Sequence, residues 1–515
     1  MKFITKYFRR SDVLFIVFAI CVVALYVKVA NGGFPLDDSW IHQVYGRNLA
    51  ETGQWAFIPG VPSAASTSPL YTVLLAFGYK LNLSYKLWTY FLGILSLSVT
   101  GMVSARLAQR MLPQNRIIGV ISGLAQIAAW HLVWAAASGM ETMLFGMWTL
   151  VLIWLAWREL DAHLPSSRSA FGRGVLFGVC VALATMTRPE GIALAALIGT
   201  VMLIARPQAS FALFLNWGIG ATVAFLVAIT PYLALNLHLT GGLLPDTAAA
   251  KQAENAPLLT ESYFERLIKM TLPLVAGAQL FLLPGAVYYL NAELRRIRLD
   301  FRSLFKLLPI LWGGSLIALY AARLPAYYQH GRYVIPALPA FILVGVVGSV
   351  WLLKQYNRST MGRVITRALA ISAIFAYVYF LVQGSVIYRQ DVSIIDEEMV
   401  ASANWIRENI SPDAILAVHD IGAVGYFAPR RILDLAGLVS PEIVPFILDE
   451  EPLWHWLQDK HAQYLMAFPD QIPGDDPNNQ HLCPIFTTGG EAAIRAGGPN
   501  MTVYALTWDG NCPQG

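Results

Sequence analysis

The stretch NGGFPLDDSWIHQVYGRNLAETG, residues 31–53, follows directly on an apolar run at residues 12–30 that opens DVLFIVFAICVVALYV. That run is about long enough to cross a hydrocarbon core of about 30 Å. It carries no A-x-A-like cleavage site, so it reads as a first span rather than a removable leader. The chain then sets two adjacent carboxylates, Asp37 and Asp38, at the membrane edge. Behind them Trp40, Ile41, Val44, Tyr45 and Leu49 recur at helical spacing, which predicts a helix lying along the bilayer surface. One aspartate suffices as its N-cap, accepting backbone N–H bonds orphaned in the first turn. A carboxylate at the rim of a semi-apolar cavity can also take a proton from a hydroxyl. Repulsion between neighbouring acids pushes one pKa upward, which suits that role.

The rest of the chain is built for lipid. Of 515 residues, 56% are hydrophobic and only 13% charged, against about 25% charged in soluble domains. Apolar runs fall near residues 12–30, 86–106, 117–137, 140–157, 173–188, 190–206, 211–236, 268–290, 304–322, 333–353 and 364–387. One further run, SPLYTVLLAFGYKLNL at 68–83, is shorter and begins beside Pro69. Taking it as an interfacial helix leaves eleven spans with a cytoplasmic N-terminus. Most loop lysines and arginines then lie inside, ELRRIRLDFRSLFK above all, as the positive-inside rule requires.

The formal net charge of +4 conceals a split, since from Arg389 onward 18 acidic residues face 6 basic ones, leaving +16 for the part before. Such asymmetry predicts two regions: a transmembrane domain at 1–388 and an acidic, span-free domain at 389–515. The tail reads as mixed α/β. IIDEEMVASANWIRENI has helical spacing, and AILAV, RILDLAG, QYLMAF and TVYALTW read as short buried strands. On this topology the tail, the first loop and the 238–267 loop share the outer face. There Cys483 and Cys512 can persist as a disulfide.

The remaining unusual polar residues gather on that same face. TMTRPEGIAL places Arg188 and Glu190 between two apolar runs, and a charge deep in a bilayer costs about 2.5–3.5 kcal/mol on insertion scales. They therefore end a span or line a cavity; a bland hairpin turn, with Pro189 at the first helical position, fits equally. Glu141 in SGMET has the same alternative. Lys251 is the central cation of the long outer loop, and His330 and Arg332 stand at the mouth of another span. Such cations can grip a phosphate or merely snorkel toward headgroups. No phosphate-binding G-x-x-x-x-G-K-[ST] loop, G-x-G-x-x-G fingerprint or paired Cys-x-x-Cys occurs. The basic residues sit in short loops between spans, so the chain offers no nucleic-acid surface. VHDIG, at 418–422, superficially matches a metal phosphohydrolase signature, but no second His–Asp cluster lies nearby. No metal ligand or cofactor is indicated, although a divalent metal is compatible with the pattern.

Taken in order, the acidic pair, STSPLYTVLLA, SGMET, TRPEG, LLPDTAAAK, HGRYVIPALP and DIGAVGYFAPRRILDLAGL resemble the GT-C superfamily of membrane glycosyltransferases over roughly residues 30–440. The likeness leans toward the bacterial branch that includes the mycobacterial-type terminal arabinofuranosyltransferases. It implies a GT-C-like α-helical polytopic membrane protein with an outer α/β domain. It also implies a sugar donor carried on polyprenyl phosphate, used outside the cytoplasm of a bacterial plasma membrane, and a glycan or lipid acceptor. The first-loop acid is the base in that superfamily, a role that falls by position on Asp37, with Asp38 beside it. Glu141, Arg188, Glu190, Lys251, His330 and Arg332 are then substrate-binding candidates. A direct displacement of this kind inverts the anomeric centre. The rival class is a transporter or flippase of a lipid-linked saccharide, against which stands the lack of an inverted repeat. A third reading is a catalytically inert scaffold.

Overall fold

The computed structural model describes residues 10–160, 166–205, 210–243, 245, 247–297, 300–356, 359–508 and 512. Parts of LLPDTAAAK and ELRRIRLDFRSLFK lie outside these residues. Among the described residues, eight helices are long and apolar enough to cross a membrane, or up to ten spans if each of two bent helix pairs counts as one. The expected run at 190–206 is the 15-residue helix Gly191–Ala205, about 22 Å long and short of a full crossing at 1.5 Å per residue. The run at 68–83 forms the 12-residue helix Pro69–Lys80, at about 18 Å also too short to span.

The bent pairs are built, not frayed. Tyr263–Val275 and Ala278–Ile297 meet at 95°. The corner is Gly277, whose φ of 140° excludes other residues and whose hypothetical Cβ would lie 2.8 Å from Trp130 Nε1. Trp130 Nε1 instead donates to the Ala276 carbonyl at 3.0 Å, which satisfies a backbone group the break sets free, as an apolar surrounding demands. Elsewhere the helices approach through small residues. Gly174, Gly178 and Gly220 let Ser167–Thr187 lie backbone to backbone against Phe211–Thr240, the packing that replaces hydrophobic drive between helices in lipid. Charges inside the bundle are paired at the end away from the first loop: Asp12 with Arg106 at 2.9 Å and Glu159 with Arg173 at 2.8 Å.

The last long helix, Thr360–Ile394, carries on through a wider turn at Ile395–Val400 into Ala401–Asn409. The membrane part and the C-terminal domain are thus joined by continuous helix across residue 389, and Glu398 in the wide turn is fully buried. Its carboxylate accepts from Asn500 Nδ2 at 2.8 Å and Met501 N at 2.7 Å. The domain is a five-stranded mixed sheet ordered Ile432–Asp434, Leu416–Val418, Tyr464–Ala467, Thr502–Leu506, Leu482–Thr487. The first three strands run parallel, and the last two add antiparallel. All four strands expected from sequence are present. The fifth, LCPIFT, contains Pro484, which a strand tolerates at a sheet edge, and the edge is where it lies. Cys483 on that strand is disulfide-bonded to Cys512, with Cα atoms 5.6 Å apart.

Candidate active site

The site is built where the first span ends. Asn31, Gly32 and Gly33 take φ of 59°, 78° and 128° in succession, a reversal that glycine makes at low cost. The turn is pinned by phenols: Tyr90 Oη and Tyr388 Oη donate to the Gly33 carbonyl at 2.8 and 3.0 Å. The chain thereby enters the seam between the bundle and the C-terminal domain, and the surface helix Asp38–Thr52 starts there. Trp40 on that helix packs against Tyr426 and Phe427 with ring centroids 5.0 and 4.7 Å apart.

Asp37 does not cap its own helix. At φ −64° and ψ −37° it is already helical, whereas a capping side chain reaches back only from an extended backbone. Its two carboxylate oxygens accept instead from Gly422 N at 2.6 Å and Ala423 N at 2.8 Å, capping the helix Ile421–Phe427 of the C-terminal domain. Burial pushes the Asp37 carboxyl up to about 8, with the charge of Asp420 adding to the rise and the two amide bonds opposing it.

Asp38 faces the other way and meets Arg332 Nη1 at 2.6 Å and Lys251 Nζ at 3.8 Å. Burial alone would raise its pKa, but Lys251 and Arg332 together hold it well below the usual carboxylate range. Asp38, Lys251 and Arg332 form a wall shared by two cavities, one of about 310 Å³ and one of about 300 Å³.

The first cavity opens between span ends and holds Glu141, Arg188 and Glu190 with Arg323, Tyr320 and Tyr333. Arg188 ends the helix Ser167–Thr187 and lies 3.1 Å from Glu190 and 3.9 Å from Glu141. It also bonds the Tyr320 hydroxyl and lies against the rings of Phe145 and Tyr333. Glu141 is itself 3.2 Å from His42 Nε2; burial would raise its pKa, but His42 and Arg188 bring it below normal. Leu319, Leu324 and Met140 give this cavity an apolar flank.

The second cavity is closed by the C-terminal domain through His419, Asp420 and Gln471. His419 stands between Glu254 at 3.5 Å and Asp420 at 3.4 Å. Burial opposes its charge, but hydrogen bonds to these two carboxylates push its pKa up to about 10. Gln471 Nε2 donates to Asp420 at 2.7 Å.

Seven of the eight residues singled out from sequence therefore line one cavity or both. His330 lines neither. Its Nε2 meets Asp391 at 2.8 Å, and its ring sits edge-on to Trp130 and Trp134 at 5.4 and 5.2 Å. Arg323, Tyr320, Tyr333, His42, Glu254 and Gln471 escaped the sequence reading. Two had local signals: His42 follows Asp38 by one helical turn, and Glu254 follows Lys251 by three residues on the helix Thr247–Glu254. Among the described residues no group of three or more His, Cys, Asp and Glu is arranged to hold a metal ion.

Residues 386–504 match a family described as "Domain of unknown function (DUF8728)". None of the curated proteins matches the chain. Among solved structures, ArnT from Cupriavidus metallidurans bound to undecaprenyl phosphate is similar with a TM-score of 0.61 at 15% identity, over 98% of this chain and 99% of that one. The archaeal oligosaccharyltransferase AglB from Archaeoglobus fulgidus, in complex with an inhibitory peptide and a dolichol-phosphate, is similar with a TM-score of 0.57 at 13% identity, over 97% and 75%. At these identities the likeness speaks for the fold: the chain is a multi-pass membrane protein of the GT-C fold with a small C-terminal sheet domain.

Proposed function

We propose that the chain is an inverting glycosyltransferase that moves a sugar from a polyprenyl-phosphate carrier to a hydroxyl of a cell-envelope glycan or lipid. The observation that carries the proposal is the shared wall: one carboxylate, Asp38, faces two cavities while ion-paired to Arg332 and Lys251. The solved structures of the same fold hold undecaprenyl phosphate and dolichol-phosphate, which supports the same class of carrier here. Arg188, Arg323, Arg332 and Lys251 give the first cavity the cations that a phosphate headgroup needs at the membrane edge. Its apolar flank suits the start of an isoprenoid tail.

In the resting state Asp38 is a poor base, because two cations stabilise its charge. A donor phosphate competes for the same cations. As Arg332 and Lys251 turn to the phosphate, Asp38 loses its partners, its pKa rises, and it can accept the proton of the attacking hydroxyl. The hydroxyl oxygen bonds to the anomeric carbon as the bond to the phosphate oxygen breaks, and the same cations stabilise the charge that the leaving phosphate gains. Asp37 acts through position, clamping the C-terminal domain against the first loop. Arg188, fixed by Glu141 and Glu190, supports the phosphate site rather than the proton transfer.

The lysine and arginine asymmetry supports a cytoplasmic N-terminus, with the site and the C-terminal domain outside a bacterial plasma membrane. A single cysteine at Ala253 labelled only from the cytoplasm would refute that orientation. The order of motifs makes polyprenyl-phosphate arabinofuranose the first donor to assay. The test of function is to incubate the purified protein in nanodiscs with polyprenyl-phosphate sugars and envelope lipids. Release of polyprenyl phosphate with formation of an inverted glycoside is expected. Donor movement between leaflets without bond cleavage would indicate the flippase class instead.

A further inference from the structure

The second cavity differs in chemistry from the first. Setting aside Asp37, whose buried carboxyl is pushed up to about 8 and so keeps its proton near neutral pH, it balances three carboxylates, Asp38, Glu254 and Asp420, against three cations, Lys251, Arg332 and His419. Glu254 Oε2 and Arg332 Nε are buried there without a hydrogen-bond partner. Unsatisfied polar atoms of this kind are costly unless something fills their valences. Among the described residues His419 meets Glu254 and Asp420 at long distances of 3.5 and 3.4 Å, and it keeps 23% of its side-chain surface exposed. Met399 and Phe468 add two apolar surfaces. Balanced charge, orphaned donors and acceptors, and small apolar faces suit a ligand with many hydroxyls and no net charge.

We infer that this second cavity is an acceptor subsite for an uncharged carbohydrate, and that His419 and Gln471 of the C-terminal domain are its specificity-determining residues. This rests on the reading of Asp38 as the base. Asp38 lines both cavities, so a hydroxyl held in the second lies within reach of the base that also borders the phosphate cavity. The domain of unknown function is thus half of the substrate site rather than a cover over it. His419 donates to a sugar oxygen while Glu254 and Asp420 accept from neighbouring hydroxyls, and Gln471 fixes the rotamer of Asp420.

The test uses the full-length protein in nanodiscs, with Cys21 and Cys180 replaced by alanine and one reporter cysteine introduced at a time. Gln329→Cys reports on the rim of the second cavity and Leu319→Cys on the first. Maleimide labelling is timed with methyl glycosides (glucoside, galactoside, mannoside, arabinofuranoside) and, separately, with undecaprenyl phosphate. At least one glycoside is expected to slow labelling of Gln329→Cys, and undecaprenyl phosphate to slow only Leu319→Cys. Adding His419→Gln or Gln471→Ala should raise the glycoside concentration needed about tenfold, the loss of one or two hydrogen bonds. It should leave undecaprenyl phosphate protection within about twofold. Failure of every glycoside at Gln329→Cys, protection there by undecaprenyl phosphate, or glycoside protection indifferent to both variants would each overturn the assignment. Glycoside protection at Gln329→Cys without undecaprenyl phosphate protection at Leu319→Cys would retain the carbohydrate site and refute the donor reading.

Discussion

Replacing Asp37 by asparagine separates clamp from base. In the native chain both Asp37 oxygens accept buried amides, from Gly422 and Ala423. Asparagine keeps one acceptor and turns an NH2 toward the other N–H, leaving at least one buried donor unsatisfied. Such a loss costs about 1–3 kcal/mol. A weakening of about 2 kcal/mol corresponds to roughly 30-fold faster opening of the helix Ile421–Phe427. Hydrogen exchange resolved to single amides reads this directly, because Gly422 and Ala423 report the opening. Turnover should fall in step with docking and recover in part when the seam is stabilised at lower temperature. If exchange at those two amides is unchanged and turnover is nevertheless abolished, Asp37 is the base and the clamp argument is wrong.

Three further outcomes are expected. Arg332→Ala should weaken undecaprenyl phosphate binding by about tenfold or more and slow transfer, with Arg332→Lys restoring only part, since lysine offers a point charge where arginine offers a fork; equilibrium binding and initial rates measure both. His419 has its pKa raised from 6.5 to about 10 by folding, so it contributes stability that is fully present below pH 6.5 and lost as pH rises through about 10. Exchange at the seam should therefore quicken over that window in the wild type and not in His419→Gln. Reduction of the Cys483–Cys512 bond opens a loop spanning 29 residues, which in the chain-entropy model removes roughly 3–4 kcal/mol; thermal scans with and without reductant test that loss in the C-terminal domain.

Much of the membrane part was legible because lipid imposes one rule on every span, and apolar runs of fixed length reveal it. The sheet strands were legible for a similar reason: AILAV is a continuous apolar run and TVYALTW is β-branched and aromatic around an apolar centre, and Leu416–Val418 and Thr502–Leu506 are buried throughout. The strand carrying Pro484 was not, since proline argues against a strand until the sheet edge is known. Within the site, sequence drew attention to Asp37 and Asp38 together but could not divide their labour. The partners of Asp37 lie 385 and 386 residues away, and no local pattern announces a cap supplied by another domain. Sequence favoured Arg332 over His330 as a phosphate contact by its chemistry, but could not show that the two, only two residues apart, point to different places. The positive φ of Gln329, His330 and Gly331 turns the backbone between them, sending one side chain to Asp391 and the other to Asp38.

The central claim is that Asp38 alternates between holding two cations and accepting a proton. The most direct measurement compares Asp38→Asn with the wild type for both undecaprenyl phosphate affinity and glycosyl transfer. Transfer should fall by about a hundredfold or more, the usual worth of a positioned base. Undecaprenyl phosphate should bind at least as tightly, because no carboxylate then competes for Arg332 and Lys251. Near-normal transfer by Asp38→Asn, or loss of phosphate binding together with transfer, would contradict the account.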